Sequence, residues 1–320
     1  MRIAFMGTPA FAVASLKRLV EDGHEICGVF TQPDKPKNRG MQLVFPPVKE
    51  YALSQGLPVF QPDSMKEEAA IALLRSLAPE LSVVAAYGQI LPEAALQAPT
   101  LGSINVHASL LPRYRGAAPI NWAILNGETQ TGVTIMHMAK KLDAGDIITM
   151  RTTPIDPEED AQMLFERLSV LGAQLLSETI PLLRDGTATR TPQDEALSSY
   201  APMLSRALSP IDWDRPSRAI LDQIRGLIPW PVASTTLAGK TIKLYQAQPG
   251  AATHETPGTM RAVKEGIEAA CGDGNTILIT LLQAEGGKRM SASAYLNGRR
   301  IAPGSYLTEP ARERKGDSNV

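Results

Sequence analysis

The stretch Asn105-Val-His-Ala-Ser-Leu-Leu-Pro-Arg-Tyr-Arg-Gly-Ala-Ala-Pro119 concentrates the residues best able to do chemistry in this 320-residue chain. Its apolar start, Ile104 to Val106, predicts a strand. Side chains alternate along a strand with period two, so Asn105 and His107 share a face. A polar pair leaving a buried strand near its carboxyl end stands where open parallel sheets bind ligands. A histidine there is either a hydrogen-bonded core residue or a reacting group, and residue types alone leave both open. Asp143, within Asp-Ala-Gly-Asp, reads by itself as a turn residue. Gly7-Thr-Pro follows the first apolar run, but it has one glycine where the dinucleotide fingerprint has three, and no P-loop lysine motif is present. It reads as a tight strand-to-helix turn. The four histidines show no ligand spacing, so no metal is expected.

The elements that must position these residues alternate in type. Ile3 to Met6, Glu25 to Phe30, Leu57 to Phe60, Leu81 to Ala86 and Ile104 to Val106 are strand-like. Between them Phe11 to Val20, Pro47 to Ser54 and Glu67 to Leu77 carry helical periods. Such alternation predicts an α/β, doubly wound, mainly parallel sheet covered by helices. Val133 to Met138 and Ile147 to Thr152 read as two later strands around the Asp143 turn. Leu164, Leu168, Leu171 and Leu175 then mark one stripe of a helix from about Asp160 to Arg184, with Asp160 as N-cap and Gly186 as stop. Residues 186–210 lose that period and turn rich in Thr, Pro, Ser and Ala, which suits a linker across the domain surface. Beyond it, Val232 to Leu237, Thr241 to Ala247, Gly266 to Ala270 and Thr276 to Leu282 are short strand-like runs between glycines and prolines, as in a small β-barrel. The expected division is a catalytic domain over 1–186, a linker over 187–206, a barrel over 207–308 and a disordered tail over 309–320.

Composition bounds the function. At 43% hydrophobic residues the chain can pack two cores. Cys27 and Cys271 are far apart and form no C-x-x-C pair, which points to core residues in a reducing compartment. The apolar start is broken by Gly7-Thr8-Pro9 and carries only Arg2 as a basic leader, so a cytoplasmic protein is expected rather than an exported one. No run approaches the length of a membrane span. Net charge is −1, but residues before Arg206 hold 17 Lys and Arg against 22 Asp and Glu, whereas those from Arg206 onward hold 15 against 11. A positive C-terminal part is a mild pointer to a polyanionic partner, and equally a solvated face.

Asn105-x-His107-x-Ser109-Leu-Leu-Pro112, followed by Asp143 36 positions after the histidine, resembles the folate-dependent formyltransferase superfamily. The resemblance implies that Asn105, His107 and Asp143 form the catalytic trio and that Ser109, Leu110, Leu111 and Pro112 contribute to the folate pocket. It further implies a pterin pocket around Gly88, Gln89, Ile90 and Leu91 and the loop before Asp143, with 10-formyltetrahydrofolate as formyl donor. Those residue types suit the reaction. An amine attacking a formyl carbon produces an oxyanion, which the Asn105 amide and a protonated His107 can stabilise by a few kcal/mol per donor, in order of magnitude ~3 kcal/mol. Asp143 can orient His107 and help take the proton the amine loses.

Within the superfamily the resemblance runs along nearly the whole chain to the members that formylate initiator methionyl-tRNA, through Val29-Phe-Thr-Gln-Pro-Asp34, Val84-Ala-Ala-Tyr-Gly-Gln-Ile-Leu-Pro92, Gly132-Val-Thr-Ile-Met136 and Ile211-Asp-Trp213. Glycinamide ribonucleotide formyltransferases lack the barrel, and the dehydrogenase form carries an additional oxidoreductase domain. Sugar-nucleotide formyltransferases share a front domain followed by a small barrel and remain the enzymatic alternative. A non-catalytic RNA-binding module is the alternative from another class. The resemblance to the tRNA-acting members implies that the loop Gln32 to Leu43 reaches the acceptor stem with Lys35, Lys37 and Arg39, and that the protein is a monomer. The sequence departs from the family pattern at Met203, where a lysine is common, and at Ser234, where an aromatic is frequent.

Overall fold

The computed structural model of the chain describes residues 1–37, 42–297 and 305–308. Two compact units are present. The first comprises Met1–Ile120, Gln130–Ile155 and Met163–Pro202, and the second comprises Asn121–Thr129, Asp156–Gln162 and the described residues from Met203 onward. Arg39 and the expected tail 309–320 lie outside the described residues.

The first unit is built on β1 (Arg2–Gly7), β2 (Glu25–Phe30), a hairpin of β3 (Lys35–Lys37) and β4 (Gln42–Val44), β5 (Val59–Phe60), β6 (Leu81–Ala85), β7 (Ser103–His107), β8 (Arg115–Gly116), β9 (Gln130–His137), β10 (Ile147–Pro154) and β11 (Tyr200–Ala201). Its seven-stranded sheet has the order β10-β9-β7-β6-β1-β2-β5. The five strands from β7 to β5 run parallel, whereas β9 is antiparallel to β7 and β10 to β9. The connecting helices are α1 (Ala10–Glu21), α2 (Pro47–Ser54), α3 (Glu68–Ser76), α4 (Glu93–Leu96) and α6 (Ala161–Arg184), whereas α5 (Pro119–Leu125) falls mostly among the residues of the second unit. β1 is buried on both faces, as central parallel strands are. Ala4 and Met6 join a cluster with Phe30, Ile71, Leu74 and Val84, while Ile3 and Phe5 are equally inaccessible on the opposite side. A Cβ at Gly172 of α6 would lie 2.9 Å from Val106 Cγ1 and 3.4 Å from Val133 Cγ1. That glycine lets the helix rest directly on β7 and β9, behind the face that carries Asn105 and His107.

The stretch read as a linker is ordered within the first unit through residue 202. Thr191 exchanges two backbone hydrogen bonds with Ile147, and β11 pairs in parallel with β8. Its order comes from these pairings and from polar side chains rather than from a periodic apolar face.

The second unit is antiparallel: β12 (Ala233–Leu237), β13 (Lys240–Ala252), β14 (Met260–Val263), β15 (Gly266–Ala270), β16 (Asn275–Ala284), β17 (Arg289–Ser291) and β18 (Leu307–Thr308), with α7 (Ser217–Gly226) and α8 (Ala292–Leu296). The order is β14-β15-β16-β13-β12-β18, and β17 also pairs with β16. The pairing of β13 with β16 shifts register three times. Such bulges bend and twist long strands, which curls the sheet into an OB-like half-barrel. Ile220 and Ile224 of α7 pack with Trp213, Leu244 and Ile279 in its core. Cys271 is buried there, and burial pushes its thiol up to about 12; the Cys27 thiol, buried in the first unit, is also raised. Both are core residues.

Candidate active site

β7 lies between β6 and β9, and its register places Asn105 beside Val84 and Met136 and His107 beside Thr134. Both polar side chains are enclosed, Asn105 at 8% and His107 at 6% exposure. Among the described residues the Asn105 amide makes no hydrogen bond. Neither amide atom is among the fully buried polar atoms without a partner, so the amide reaches solvent and is a donor free for something that enters. His107 Nε2 is 2.9 Å from the Tyr114 carbonyl oxygen. A carbonyl only accepts, so Nε2 carries the hydrogen, and Nδ1 is the nitrogen that accepts a proton.

Asp143 comes from the turn between β9 and β10. Its Oδ2 accepts the Gly116 N–H at 2.8 Å and lies 3.7 Å from His107 Nδ1. The longer separation is an electrostatic contact, not a hydrogen bond. Tyr114 thus holds one ring nitrogen, and Asp143, to which the sequence reading gave the orienting task, faces the other. Asp143 itself has φ +49°, a left-handed backbone that a non-glycine residue holds only when its surroundings impose it. Two residues on, a Cβ at Gly145 would fall 1.8 Å from the His137 carbonyl oxygen, so the chain doubles back at closest approach. The arrangement gathers an uncommitted amide, a proton-accepting nitrogen and a carboxylate, the set that acyl transfer to an amine requires.

The residues expected around the folate are placed as follows. Ser109 is buried with its hydroxyl donated to the Arg113 carbonyl at 2.7 Å, and its own carbonyl accepts from Thr134 Oγ1 at 2.7 Å. Leu111 N donates back to Thr134 Oγ1 at 3.2 Å, and the Leu111-Pro112 bond is cis. Ser109 to Pro112, with Leu110, thus forms a turn pinned to β9 by Thr134, a residue that sequence reasoning did not single out. Gly88 has φ +82° and its carbonyl accepts from Gln32 Nε2 at 2.9 Å. The Gln89 amide is spent on Met65 N and the Pro62 carbonyl. Ile90 is 72% exposed and Leu91 is buried. A cavity of about 590 Å³ opens at the amino end of β7, lined by Leu96, Ser103, His137, Met138, Lys140 and Arg190 among others, and neither Gly88 to Leu91 nor Ser109 to Pro112 lines it. Burial, followed by the charge of Arg190, holds the His137 imidazole below its ordinary pKa.

The basic hairpin is fastened at its base. Lys49 Nζ lies 2.6 Å from both Asp34 Oδ2 and Gln61 Oε1, and sits over the Phe45 ring. Hydrogen bonds from Lys49 and Gln61 hold the Asp34 carboxyl below its usual value. Lys35 is exposed and donates to Gln32 Oε1 at 3.1 Å, and Lys37 ends β3.

Residues 1–180 match the formyl transferase family and residues 203–300 the formyl transferase C-terminal domain. A methionyl-tRNA formyltransferase of Geotalea uraniireducens is 52% identical over 309 residues, covering 96% of this chain and 98% of that one. Its counterpart in Bacillus velezensis is 48% identical over 314 residues, covering 98% and 99%. The chain belongs to the methionyl-tRNA formyltransferase family. The fold extends further: an N-formyltransferase of Helicobacter canadensis, solved with folinic acid and dTDP-3-aminofucose, superposes with TM-score 0.64 at 19% identity, over 87% of this chain and 98% of that one. HypX from Aquifex aeolicus, solved with tetrahydrofolic acid, gives 0.63 at 20% identity over 92% of this chain and 47% of that one. Of the two departures from the methionyl-tRNA formyltransferase pattern, Met203 is 79% exposed and carries no charge for a phosphate. Ser234 is buried in β12, its backbone paired to Ser209 and Ile211, so that change concerns packing.

Proposed function

We propose that the protein transfers the formyl group of 10-formyltetrahydrofolate to the α-amino group of methionyl initiator tRNA, acting as a monomer in the cytoplasm. The observation that carries this is identity of about half along nearly the full length of family members, through both the catalytic and the C-terminal parts. On this reading Asn105 donates to the oxyanion that develops as the amine attacks the formyl carbon. His107 Nδ1 receives the proton the amine loses, and Asp143 stabilises the imidazolium so formed. A new carbon–nitrogen bond forms, the bond to the donor nitrogen breaks, and the proton returns to that nitrogen. No covalent enzyme intermediate is needed. Residues 88–91 and 109–112 shape the folate pocket chiefly through backbone, because the Gln89 and Ser109 side chains are engaged within the protein. Lys35, Lys37 and Arg39 contact tRNA phosphates, and the barrel over 207–308 holds the tRNA.

The test is transfer of labelled formyl from 10-formyltetrahydrofolate to initiator methionyl-tRNA by the wild type and by Asp143→Asn, beside an amino-sugar nucleotide as rival acceptor. Transfer to tRNA by the wild type, and a much reduced but still measurable rate in the variant, is the expected result. Transfer to the sugar alone would overturn the acceptor assignment. Full activity of Asp143→Asn would overturn the site.

A further inference from the structure

We propose that Gln193 is a positioning residue for Asp143, an inference that rests on the catalytic assignment above. Gln193 lies 50 residues beyond Asp143, in the aperiodic stretch that reads as linker, yet both faces of its amide are engaged. Nε2 donates to the Asp143 carbonyl at 2.9 Å and the Gly145 carbonyl at 2.8 Å, with Met136 Sδ at 3.8 Å. Oε1 accepts from Arg115 Nε at 3.0 Å and Nη2 at 2.8 Å. Arg115 is only 2% exposed, and its Nη1 donates to Glu195 Oε1 at 2.7 Å. Gln193 therefore connects a buried guanidinium to the two carbonyls that bracket the catalytic turn.

Asp143 is held at both ends by this arrangement. Its backbone carbonyl is taken by Gln193, and its carboxylate by the N–H of Gly116, the residue after Arg115. The pins oppose a backbone preference, since φ +49° is disfavoured for a residue with a Cβ. Released, the turn relaxes toward negative φ, which swings the Cα–Cβ bond and carries Oδ2 away from His107 Nδ1. Gln193 touches neither His107 nor Asn105, and a variant that keeps its contact to Arg115, the neighbour of the Tyr114 carbonyl that holds His107, leaves the aspartate as its route to the reaction.

Gln193→Glu is the informative variant. It keeps shape and the contact to Arg115, now as an ion pair, but replaces both donors to the turn with acceptors. Misplacement of a reacting group by about 1 Å costs on the order of 100-fold, so kcat is expected to fall between about 10- and 100-fold. KM for tRNA and for the folate should stay within about twofold, since ground-state contacts are retained. A double-mutant cycle separates positioning from structure. In the Asp143→Asn background Gln193→Glu should have almost no further effect on kcat. An equal loss in both backgrounds, a change in KM alone, or an unchanged kcat overturns the proposal. Should Gln193→Glu fail to fold, Gln193→Asn carries the same cycle: it retains the amide but shortens its reach, with a smaller loss again confined to kcat. Absence of transfer by the folded wild type defeats the functional assignment and this proposal with it, whereas a wild type that transfers but is indifferent to Gln193 defeats this proposal alone.

Discussion

Asn105→Ala is expected to disable the protein at little cost in stability. Asn105 is 8% exposed, its amide has no hydrogen-bond partner among the described residues, and neither amide atom is among the fully buried polar atoms without a partner, so water reaches it. Truncation therefore breaks no hydrogen bond within the protein and relieves no desolvation cost; what is lost is a few contacts, ~1 kcal/mol. A loss of ~1 kcal/mol corresponds to a melting temperature lowered by about 2–4 °C for a domain of this size. Turnover falls much further: removing one preorganised oxyanion donor lowers kcat by about 100- to 1,000-fold, or ~2.7–4 kcal/mol. Differential scanning calorimetry and single-turnover formyl transfer on the same preparation read the two effects. A melting temperature lowered by more than about 8 °C together with lost turnover would show that the amide has a structural partner and would refute the reasoning. Turnover within about threefold of wild type, against the 100-fold expected, would refute it as well.

Three further outcomes follow from buried polar groups elsewhere. In the second unit Asp222 and Arg225 are both buried; Arg225 Nε donates to Asp222 Oδ1 at 2.9 Å and Nη2 stands 2.8 Å from the same oxygen, out of line for a hydrogen bond. Asp222→Ala strands the guanidinium and should cost ~3–5 kcal/mol in urea unfolding, with Asp222→Ala/Arg225→Met recovering most of it; a single variant as stable as wild type would contradict this. The Tyr87 hydroxyl is buried without a partner, and burial raises its pKa, so Tyr87→Phe should raise stability by ~1 kcal/mol, and a loss of stability would show that the hydroxyl is satisfied. His24 and His137 are both held below the ordinary histidine pKa by burial first, then by the N-terminal ammonium and Arg190 respectively. The fold prefers their neutral forms, so this stability is present above about pH 6.5 and is lost as pH falls below it. The urea midpoint should drop between pH 7.5 and 5.5 in the wild type and drop less in His24→Gln/His137→Gln, over a window that leaves most carboxylates ionised.

What the sequence made legible is what periodicity encodes. Ile3 to Met6, Glu25 to Phe30 and Leu81 to Ala85 are strands because both their faces are buried, and Leu164 to Leu175 is one stripe of a helix. Asn105 and His107 were placed on one face by the same period-two rule. Structure held by individual polar contacts left no such trace. The helix Ser217–Gly226 buries Asp222, Gln223 and Arg225 beside Ile220 and Ile224, so its inward face does not look apolar. The strap through Gln193 and Tyr200–Ala201 is ordered by side-chain amides, a guanidinium and two short strands, and reads in sequence as a linker. Gln89 and Ser109 were marked as pocket residues by their neighbourhood in the chain, while their polar atoms are directed inward to Met65, Pro62 and Arg113. Composition near a site indicates where a ligand goes; it does not indicate which side chains are left free to meet it.

The three groups proposed as catalytic stand on backbones of unequal stiffness, and that inequality bears on how the proposed site works. Asn105 and His107 belong to a central strand paired on both sides and backed by α6 at the closest approach glycine permits. An oxyanion donor and a general base must hold their geometry within about 0.5 Å, and such a strand can provide that without help from a ligand. Asp143 sits on a turn with an unfavourable φ, and its Oδ2 stands 3.7 Å from Nδ1. That gap is too long for a hydrogen bond and short enough for strong charge interaction. A shift of less than 1 Å takes the pair from one regime to the other. In the mechanism proposed above, the carboxylate follows the proton: it leaves Nδ1 open while the imidazole is neutral and closes on it once the imidazole is charged. A turn free to make that small movement but no larger one is what the Gly116 N–H at one end of Asp143 and the Gln193 amide at the other define.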